Sequence, residues 1–133
     1  KTKTGKPRNA ERPSIQHMIG EMEISLSTAQ AMISQMGKIA DDFLIEYQDQ
    51  KIPVDRAHEL LKDHQSMKWV VNSNAINIVS RAMDVVGGSG YMDKNPLSRL
   101  YRDVRAGPFM QPYSPTEARE YIGKVMLKIY PED

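Results

Sequence analysis

Two long stretches of helical periodicity constrain the fold of this chain more than any other feature of its sequence. In the first, apolar residues recur every three or four positions, as on the buried face of an α-helix. These residues are Ile15, Met18, Met22, Leu26, Ala29, Ile33, Met36, Ala40, Phe43 and Tyr47. Pro13 suits the first turn of this helix, where a missing N–H costs no hydrogen bond. The polar run 49–51 and Pro53 end the pattern.

The second stretch begins near Val54 or Asp55 and ends where Gly87 and Gly88 follow it. Its apolar positions are Ala57, Leu60, Leu61, His64, Met67, Val71, Ala75, Ile78, Ala82 and Val85. A helix of about 32 residues is about 48 Å long. Two such helices joined by a short connection predict an antiparallel hairpin, which is half of a helical bundle. The sequence contains no further long helix that would cover the two stripes of this hairpin. We therefore expect exposed apolar surface and self-association of this chain.

Two shorter helices complete the pattern. Pro96 starts a third helix that runs to about Arg105, and the glycine and prolines within 106–113 keep that segment out of helix. Ser114-Pro-Thr-Glu117 is a capping box that starts a fourth helix. No segment alternates with the period of a β-strand. The predicted fold class is therefore all-α, an antiparallel bundle of two long and two short helices over 13–133, after an irregular segment 1–12.

Composition narrows the class of protein. The formal net charge is +1 and charged residues make up 26% of the chain, which gives no strong attraction to nucleic acid. No apolar run approaches the roughly 20 residues of a membrane span. The absence of cysteine excludes disulfides, thiolate metal sites and a cysteine nucleophile, and it is typical of a cytoplasmic protein. His17, His58 and His64 are too scattered to predict a metal site.

A glycine-rich loop and a charged segment carry the strongest functional signal. Residues 81–91 read RAMDVVGGSGY, and residues 95–105 read NPLSRLYRDVR. A Gly-Gly-x-Gly-Tyr loop followed by Pro…Arg-Asp-x-Arg resembles the C-terminal helical domain of acyl-CoA dehydrogenases. The resemblance implies a flavoprotein that uses FAD to dehydrogenate an acyl-CoA thioester between its α and β carbons. It also implies a homo-oligomer, or a hetero-oligomer with related subunits, in which FAD lies across a subunit interface. The chain then starts inside a longer protein and cannot bind FAD alone.

The resemblance assigns FAD contacts to individual positions. Lys1 stands where relatives place an arginine that touches the FAD pyrophosphate of a neighbouring subunit, and Asp84 stands in place of a glutamine that contacts the cofactor. The loop residues lie close to the adenosine side of the neighbour's FAD, and the start of the fourth helix joins them. The complete predicted set is Lys1, Asp84, Gly87, Gly88, Ser89, Gly90 and Ser114. The alternative for the loop is an ordinary helix C-cap and chain reversal.

The catalytic position departs from the family pattern. Many relatives carry a Tyr-Glu-Gly-Thr phrase after Arg-Asp-x-Arg, and its glutamate removes the α-proton of the acyl-CoA. Gln111 occupies that position here, or Pro112 if one residue is inserted, and neither accepts a proton at neutral pH. We therefore predict no catalytic residue in this chain. Either the base lies on an earlier helix, as in some relatives, or the chain is a non-catalytic assembly module that has lost flavin chemistry. Lys1, Asp84 and Gln111 favour the module, as does Pro13, which stands where relatives often have a glutamine that contacts the flavin nucleotide. The intact glycine loop and the Arg-Asp-x-Arg segment favour the enzyme.

Several other residues allow a structural interpretation. His64 lies on the apolar stripe of the second helix and is expected to be buried. Trp69 is expected to pack at a helix interface. Arg99, Arg102 and Arg105 surround Asp103 and predict an ion-pair network with a neighbouring subunit, or else an anion site. An asparagine cluster lies in the second helix, where asparagine is a poor helix former. It consists of Asn72, Asn74 and Asn77. It indicates either a polar seam in the bundle or a site near a further domain.

Overall fold

Four α-helices form the framework of the protein in a computed structural model that describes residues 8–130. They are α1 (Pro13–Glu46), α2 (Val54–Val86), α3 (Pro96–Asp103) and α4 (Pro115–Met126). Three 3₁₀ segments accompany them: Asn9–Glu11, Gly87–Tyr91 (the glycine turn) and Val104–Phe109 (the 104–109 turn). Residues 8–130 contain no β-strand, so the predicted all-α fold is confirmed.

The ends of the helices follow the local chemistry of the sequence. Pro13 occupies the first turn of α1, and Gly87 ends α2 with φ of 74°, a left-handed conformation that glycine adopts without strain. Asn95 caps α3 by accepting a hydrogen bond of 3.0 Å from the backbone N–H of Leu97. The capping box at α4 forms as predicted, with the Glu117 carboxylate accepting from the Ser114 N–H at 2.9 Å.

The long helix α2 is the centre of the molecule. The helix α1 packs along one side of it, while α3, α4 and the two later 3₁₀ segments pack against it from elsewhere on its circumference. The order along α2 is regular: α4 lies against its first half, the 104–109 turn against its middle, and the glycine turn at its end. A helix that is covered on two sides must present two different faces to its neighbours.

The seam between α1 and α2 is apolar and is held in register by a few polar contacts. Three residues of α1 are buried, at spacings of seven: Ala29, Met36 and Phe43. The Asn74 amide of α2 donates to the Ser25 carbonyl of α1 at 3.0 Å. Near the end of α2, Arg81 pairs with Glu21 at 3.1 Å. These contacts confirm the predicted hairpin and give Asn74 the role of a polar seam.

The packing of the fourth helix is aromatic. Tyr121 is 4% exposed, stacks on Tyr113 with ring centroids 4.8 Å apart, and lies 2.6 Å from His58 Nδ1 through its hydroxyl oxygen. The guanidinium of Arg119 lies 4.5 Å from the ring centroid of Trp69, an arrangement that stabilises a cation over an indole. Trp69 therefore lies at a helix interface, as predicted.

Much of the apolar surface of α1 is not covered by this chain. Ile19, Leu26, Ile33 and Leu44 share one flank of the helix and are between 43% and 66% exposed. The accessible surface is 9680 Å², whereas a compact protein of this size exposes about 7,000 Å². Both observations agree with the predicted need for a companion, although self-association itself stays a prediction. No helix within 8–130 has the length and apolar character required to cross a bilayer.

One prediction from the apolar stripe of α2 is wrong. His64 is exposed, and its neighbour Gln65 is the fully buried residue of the helix. The apolar stripe alone describes a helix with a single buried face. Because α2 is covered on two sides, its second buried face begins roughly a third of a turn away and includes Gln65.

Candidate functional site

The glycine turn lies at the end of α2 and exposes most of its backbone. Gly88 and Ser89 are exposed, and a Cβ added at Gly87 or Gly88 would meet no atom within 4 Å. Gly90 differs because it is buried, and a Cβ there would lie 2.7 Å from the Met83 sulfur. The first part of the turn therefore leaves room for the close approach of another molecule, while Gly90 serves packing.

The charges beside the turn are mixed. Asp84 is exposed, three residues before the turn, and its carboxylate would repel a pyrophosphate at short range. The nearest cation along the same face is Arg81, whose guanidinium is already paired with Glu21. The backbone of Gly87, Gly88 and Ser89 is thus open to another molecule, whereas the Asp84 carboxylate disfavours an anionic one.

The second predicted location is the loop before α4. Lys68 of α2 holds this loop in place, since its ammonium donates to the carbonyl of Met110 and, at 2.7 Å, to that of Tyr113. Gln111 lies between them with an exposed side chain. Ser114 is the N-cap of α4, and its side chain and then its N–H hold the pKa of Glu117 below the ordinary value. Ser114 is thus accounted for by helix capping, and the lowered pKa makes the Glu117 carboxylate a weaker base than an ordinary glutamate.

The carboxylate of the Arg-Asp-x-Arg segment forms ion pairs on the exposed surface of α3. Asp103 lies 3.7 Å from Arg99 and 3.4 Å from Arg102, with all three side chains at least half exposed. Exposed pairs of this kind contribute little to stability. Arg105 points elsewhere and lines a cavity beside α2. Two of the three predicted arginines therefore pair with Asp103 within the chain, and a role toward a neighbouring subunit stays a prediction.

A cavity of about 230 Å³ lies between α2, the 104–109 turn and the start of α4. We call it the α2–α4 cavity. It is lined by Gln65, Lys68, Trp69, Asn72, Ser73, Ile76, Arg105, Pro108, Phe109, Tyr113, Pro115 and Ala118. No carboxylate is among them. The Gln65 carboxamide is 0% exposed, and neither its oxygen nor its nitrogen has a hydrogen-bond partner within the described part of the chain.

Asn72 connects this cavity to the 104–109 turn. Its amide nitrogen donates to the Lys68 carbonyl at 2.9 Å, and its carbonyl oxygen fills the space where a Cβ of residue 107 would lie. Only glycine therefore fits at Gly107 without displacing Asn72. The three asparagines have separate environments, since Asn74 bonds to α1 and Asn77 is exposed.

Sequence reasoning missed this cavity, although a signal was present. Gln65, Lys68 and Asn72 follow one another at helical spacing on a face of α2 that the apolar stripe does not use. Only Asn72 among them is interpreted from the sequence, as part of a polar seam or of a site near a further domain. Their burial becomes evident only once the segment 104–118 is placed against α2.

The predicted site residues fall into two separate groups. Asp84, Gly87, Gly88, Ser89 and Gly90 lie at the end of α2, whereas Gln111 and Ser114 lie near its middle, beside Lys68. At about 1.5 Å per residue, the distance along α2 from Lys68 to Gly87 is about 28 Å. One small group cannot contact both locations. Lys1 lies outside the described residues. Within residues 8–130, no three potential ligand side chains cluster as a metal site would require.

Comparison with known families agrees with this architecture. The profile of the family described as "Acyl-CoA dehydrogenase, C-terminal domain" matches residues 1–111. The chain belongs to this family. The segment that follows residue 111, including α4, lies beyond the matched range.

Two curated relatives point to different activities. The amino sugar nitrososynthase DnmZ of Streptomyces peucetius is 42% identical over 72 residues, which cover 54% of this chain and 18% of that protein. YdbM of Bacillus subtilis, a protein assigned to the acyl-CoA dehydrogenases by inference, is 36% identical over 95 residues, or 71% of this chain and 22% of that protein. The chain thus matches less than a quarter of each relative's length.

A solved structure shares the fold. The X-ray structure of KijD3 in complex with dTDP superposes on 94% of this chain with a TM-score of 0.80 and 28% sequence identity. The aligned part covers 31% of the KijD3 chain. The hairpin of α1 and α2, and the C-terminal layer formed by α3, the 104–109 turn and α4, are therefore arranged as in KijD3.

Proposed function

We propose that this chain is the C-terminal helical domain of a flavin-dependent enzyme that oxygenates the nitrogen of an amino sugar, in the manner of the nitrososynthases. The observation that carries the proposal is Gln111, at the position where acyl-CoA dehydrogenases that use this loop carry their base. An amide neither accepts nor releases a proton near neutral pH, so it cannot perform that step. DnmZ, named as an amino sugar nitrososynthase, supports the alternative chemistry through 42% identity.

Among the residues that the structure describes, the carboxylates nearest to Gln111 along the chain are poor substitute bases. Glu117 carries a lowered pKa at its helix N-terminus, and Asp103 is paired on the surface of α3. Oxygenation of an amine requires a different arrangement, because the nitrogen lone pair is itself the nucleophile once the amine is unprotonated. The loop before α4 then has to shape and dry the site rather than remove a carbon-bound proton.

The family resemblance implies that the complete enzyme binds FAD. Some residues of this chain suit part of such a binding site. When bound, the flavin supplies two electrons for each oxygen atom transferred from O₂ to nitrogen. The residues of this chain contribute position: the exposed backbone of Gly87, Gly88 and Ser89 offers a surface for a nucleotide, and Lys68 fixes the loop that carries Gln111. Asp84 reduces the fit, because the nearby Arg81 guanidinium is already paired with Glu21.

Assembly is part of the proposal. The exposed flank of α1, at Ile19, Leu26, Ile33 and Leu44, is apolar, and surface of this kind is covered in stable proteins. A further domain of the same protein and other subunits would both cover it. We therefore propose an oligomeric, cytoplasmic enzyme in which this domain lies at an interface.

Acyl-CoA dehydrogenation is the second candidate, because YdbM matches 71% of this chain. It requires the base to lie on another helix. The third candidate, a non-catalytic assembly module, requires that the complete protein bind no flavin.

One set of assays on the full-length protein separates the three. The purified protein is examined for flavin absorbance and is then supplied with O₂, a flavin reductase and NADPH, together with either a dTDP-linked amino sugar or an acyl-CoA. Mass spectrometry that detects hydroxylamine and nitroso products supports the proposal. Enoyl-CoA formation with an artificial electron acceptor would transfer the assignment to dehydrogenation. A colourless protein that gains no flavin absorbance when FAD is added would exclude both enzymatic candidates. The assembly module would then be the remaining function.

A further inference from the structure

We propose that the α2–α4 cavity is a binding site for a small flat carboxylic acid, whose carboxylate binds Arg105 and whose ring packs on the aromatic lining. The cavity lies beside the middle of α2, away from the glycine turn. The inference concerns binding alone, and it does not rest on the proposed oxygenation of amino sugars.

The first argument is the excess of positive charge around the cavity. Lys68 and Arg105 line it and no carboxylate does. The whole chain, in contrast, is nearly neutral, with 18 lysines and arginines against 17 aspartates and glutamates. The Lys68 ammonium is bound by the carbonyls of Met110 and Tyr113, which carry no charge to neutralise it. Cations that no acid neutralises attract an anion, and apolar walls strengthen this attraction because they limit screening by water.

The second argument is that Arg105 differs from the other arginines of its segment. Arg99 and Arg102 pair with Asp103, whereas Arg105 has no ion-pair partner among residues 8–130 and lines the cavity instead. The planar guanidinium donates two parallel hydrogen bonds to a carboxylate when the two groups meet edge to edge. A phosphate ester offers three acceptor oxygens and a second negative charge, which one free guanidinium satisfies less well. The available donors therefore favour a monocarboxylate.

The third argument is the aromatic lining. Trp69, Phe109 and Tyr113 contribute rings. Two of these rings are held from outside the cavity, Trp69 by the Arg119 guanidinium at 4.5 Å and Tyr113 by stacking on Tyr121 at 4.8 Å. Fixed rings stack on a flat ligand with little loss of side-chain entropy. A cavity of about 150 Å³ holds one benzene ring, so the volume of about 230 Å³ leaves room for a carboxylate on that ring.

The test compares three ligands on the full-length protein by ligand-observed NMR titration: benzoate, benzamide and acetate. Benzamide keeps the flat ring and loses the charge, whereas acetate keeps the charge and loses the ring. We expect saturable binding of benzoate and binding of the other two that is weaker by about tenfold or more, because each lacks one of the groups that the cavity binds. The measurement requires no turnover, so a protein that does not oxygenate amino sugars still gives a result.

Variants locate the carboxylate at Arg105. Arg105→Met removes the charge and keeps an unbranched apolar side chain, and the affinity for benzoate should fall by about tenfold or more. Arg102→Met makes the same change on the exposed surface of α3 and is the matched control. It should bind benzoate as the unchanged protein does. Circular dichroism verifies that both variants fold.

Any of three results would overturn the proposal. They are the absence of benzoate binding at millimolar concentration, equal affinity for benzamide or acetate, and unchanged benzoate affinity in a folded Arg105→Met variant. The first result would indicate that another part of the full-length protein covers the cavity and neutralises Arg105.

Discussion

The two buried faces of α2 differ in how they are held. The face toward α1 is an apolar stripe, and its seam contains Met36 and Phe43 with few polar bonds. The face toward the C-terminal layer carries Gln65, Lys68 and Asn72 and encloses a cavity. Apolar contacts stabilise by area and tolerate some variation in geometry, whereas a buried polar group stabilises only with its partner in place. The first face is thus held by apolar area, and the second depends on the polar partners that face it.

The largest effect is expected on the face toward α1. Phe43 is 8% exposed, and its ring centroid lies 4.8 Å from that of Tyr47. Phe43→Ala should lower the free energy of unfolding by about 3 kcal/mol, because it removes a buried ring and leaves a cavity in the seam. Urea denaturation followed by circular dichroism measures the change. Lys38→Ala, on the exposed surface of the same helix, is the matched control and should stay within about 0.5 kcal/mol. Equal effects of both variants would show that the seam is not closed as described.

A smaller and more specific effect is expected on the opposite face. Gly107→Ala places a Cβ against the Asn72 carbonyl oxygen and should lower the free energy of unfolding by about 1–2 kcal/mol through overpacking. Removal of the obstructing side chain tests the cause. In the double variant with Asn72→Ala, the cost of Gly107→Ala should fall by about 1 kcal/mol. Strictly additive changes would contradict the proposed contact.

The difference between the faces also explains what the sequence could predict. A period of three or four apolar residues defined the long helices, and the prolines, Gly87 and the capping box defined their ends within a few residues. The 3₁₀ conformation of the 104–109 turn was not predicted, because Gly107 and Pro108 disfavour α-helix without selecting an alternative. Gln65 was not recognised as buried, since its burial depends on a segment about 40 residues further along the chain, and local periodicity contains no information on such contacts.

The aromatic part of the C-terminal layer should respond to alkaline pH. Burial, and secondarily the neighbouring Tyr113, raises the pKa of Tyr121 above its ordinary value of 10.0. The unfolded chain then loses this proton first, so stability is fully present below about pH 10 and falls as the pH rises above it. Tyr121→Phe should remove this part of the decline. At pH 7 the variant should lose about 1 kcal/mol, because the hydroxyl no longer pairs with His58. An unchanged alkaline profile would show that other groups cause it.

The smallest effect is expected at the N-terminus of α4, whose starting point sets which of its residues meet α2. The Ser114 side chain and then its N–H lower the pKa of Glu117 from 4.5, so the folded state favours the carboxylate. The resulting stability is present above pH 4.5 and is lost as the pH falls through the lowered pKa of the folded state.

Glu117→Gln keeps an acceptor for the Ser114 N–H but loses the charge near the helix terminus. It should therefore lie slightly below the unchanged protein in melting temperature at pH 7 and coincide with it at pH 2. Glu120→Gln removes one charge from the middle of the same helix and serves as the control for net charge. If the two variants show the same dependence on acid, the capping box does not determine where α4 begins, and the alignment of Ala118 and Tyr121 with the polar face of α2 must come from packing alone.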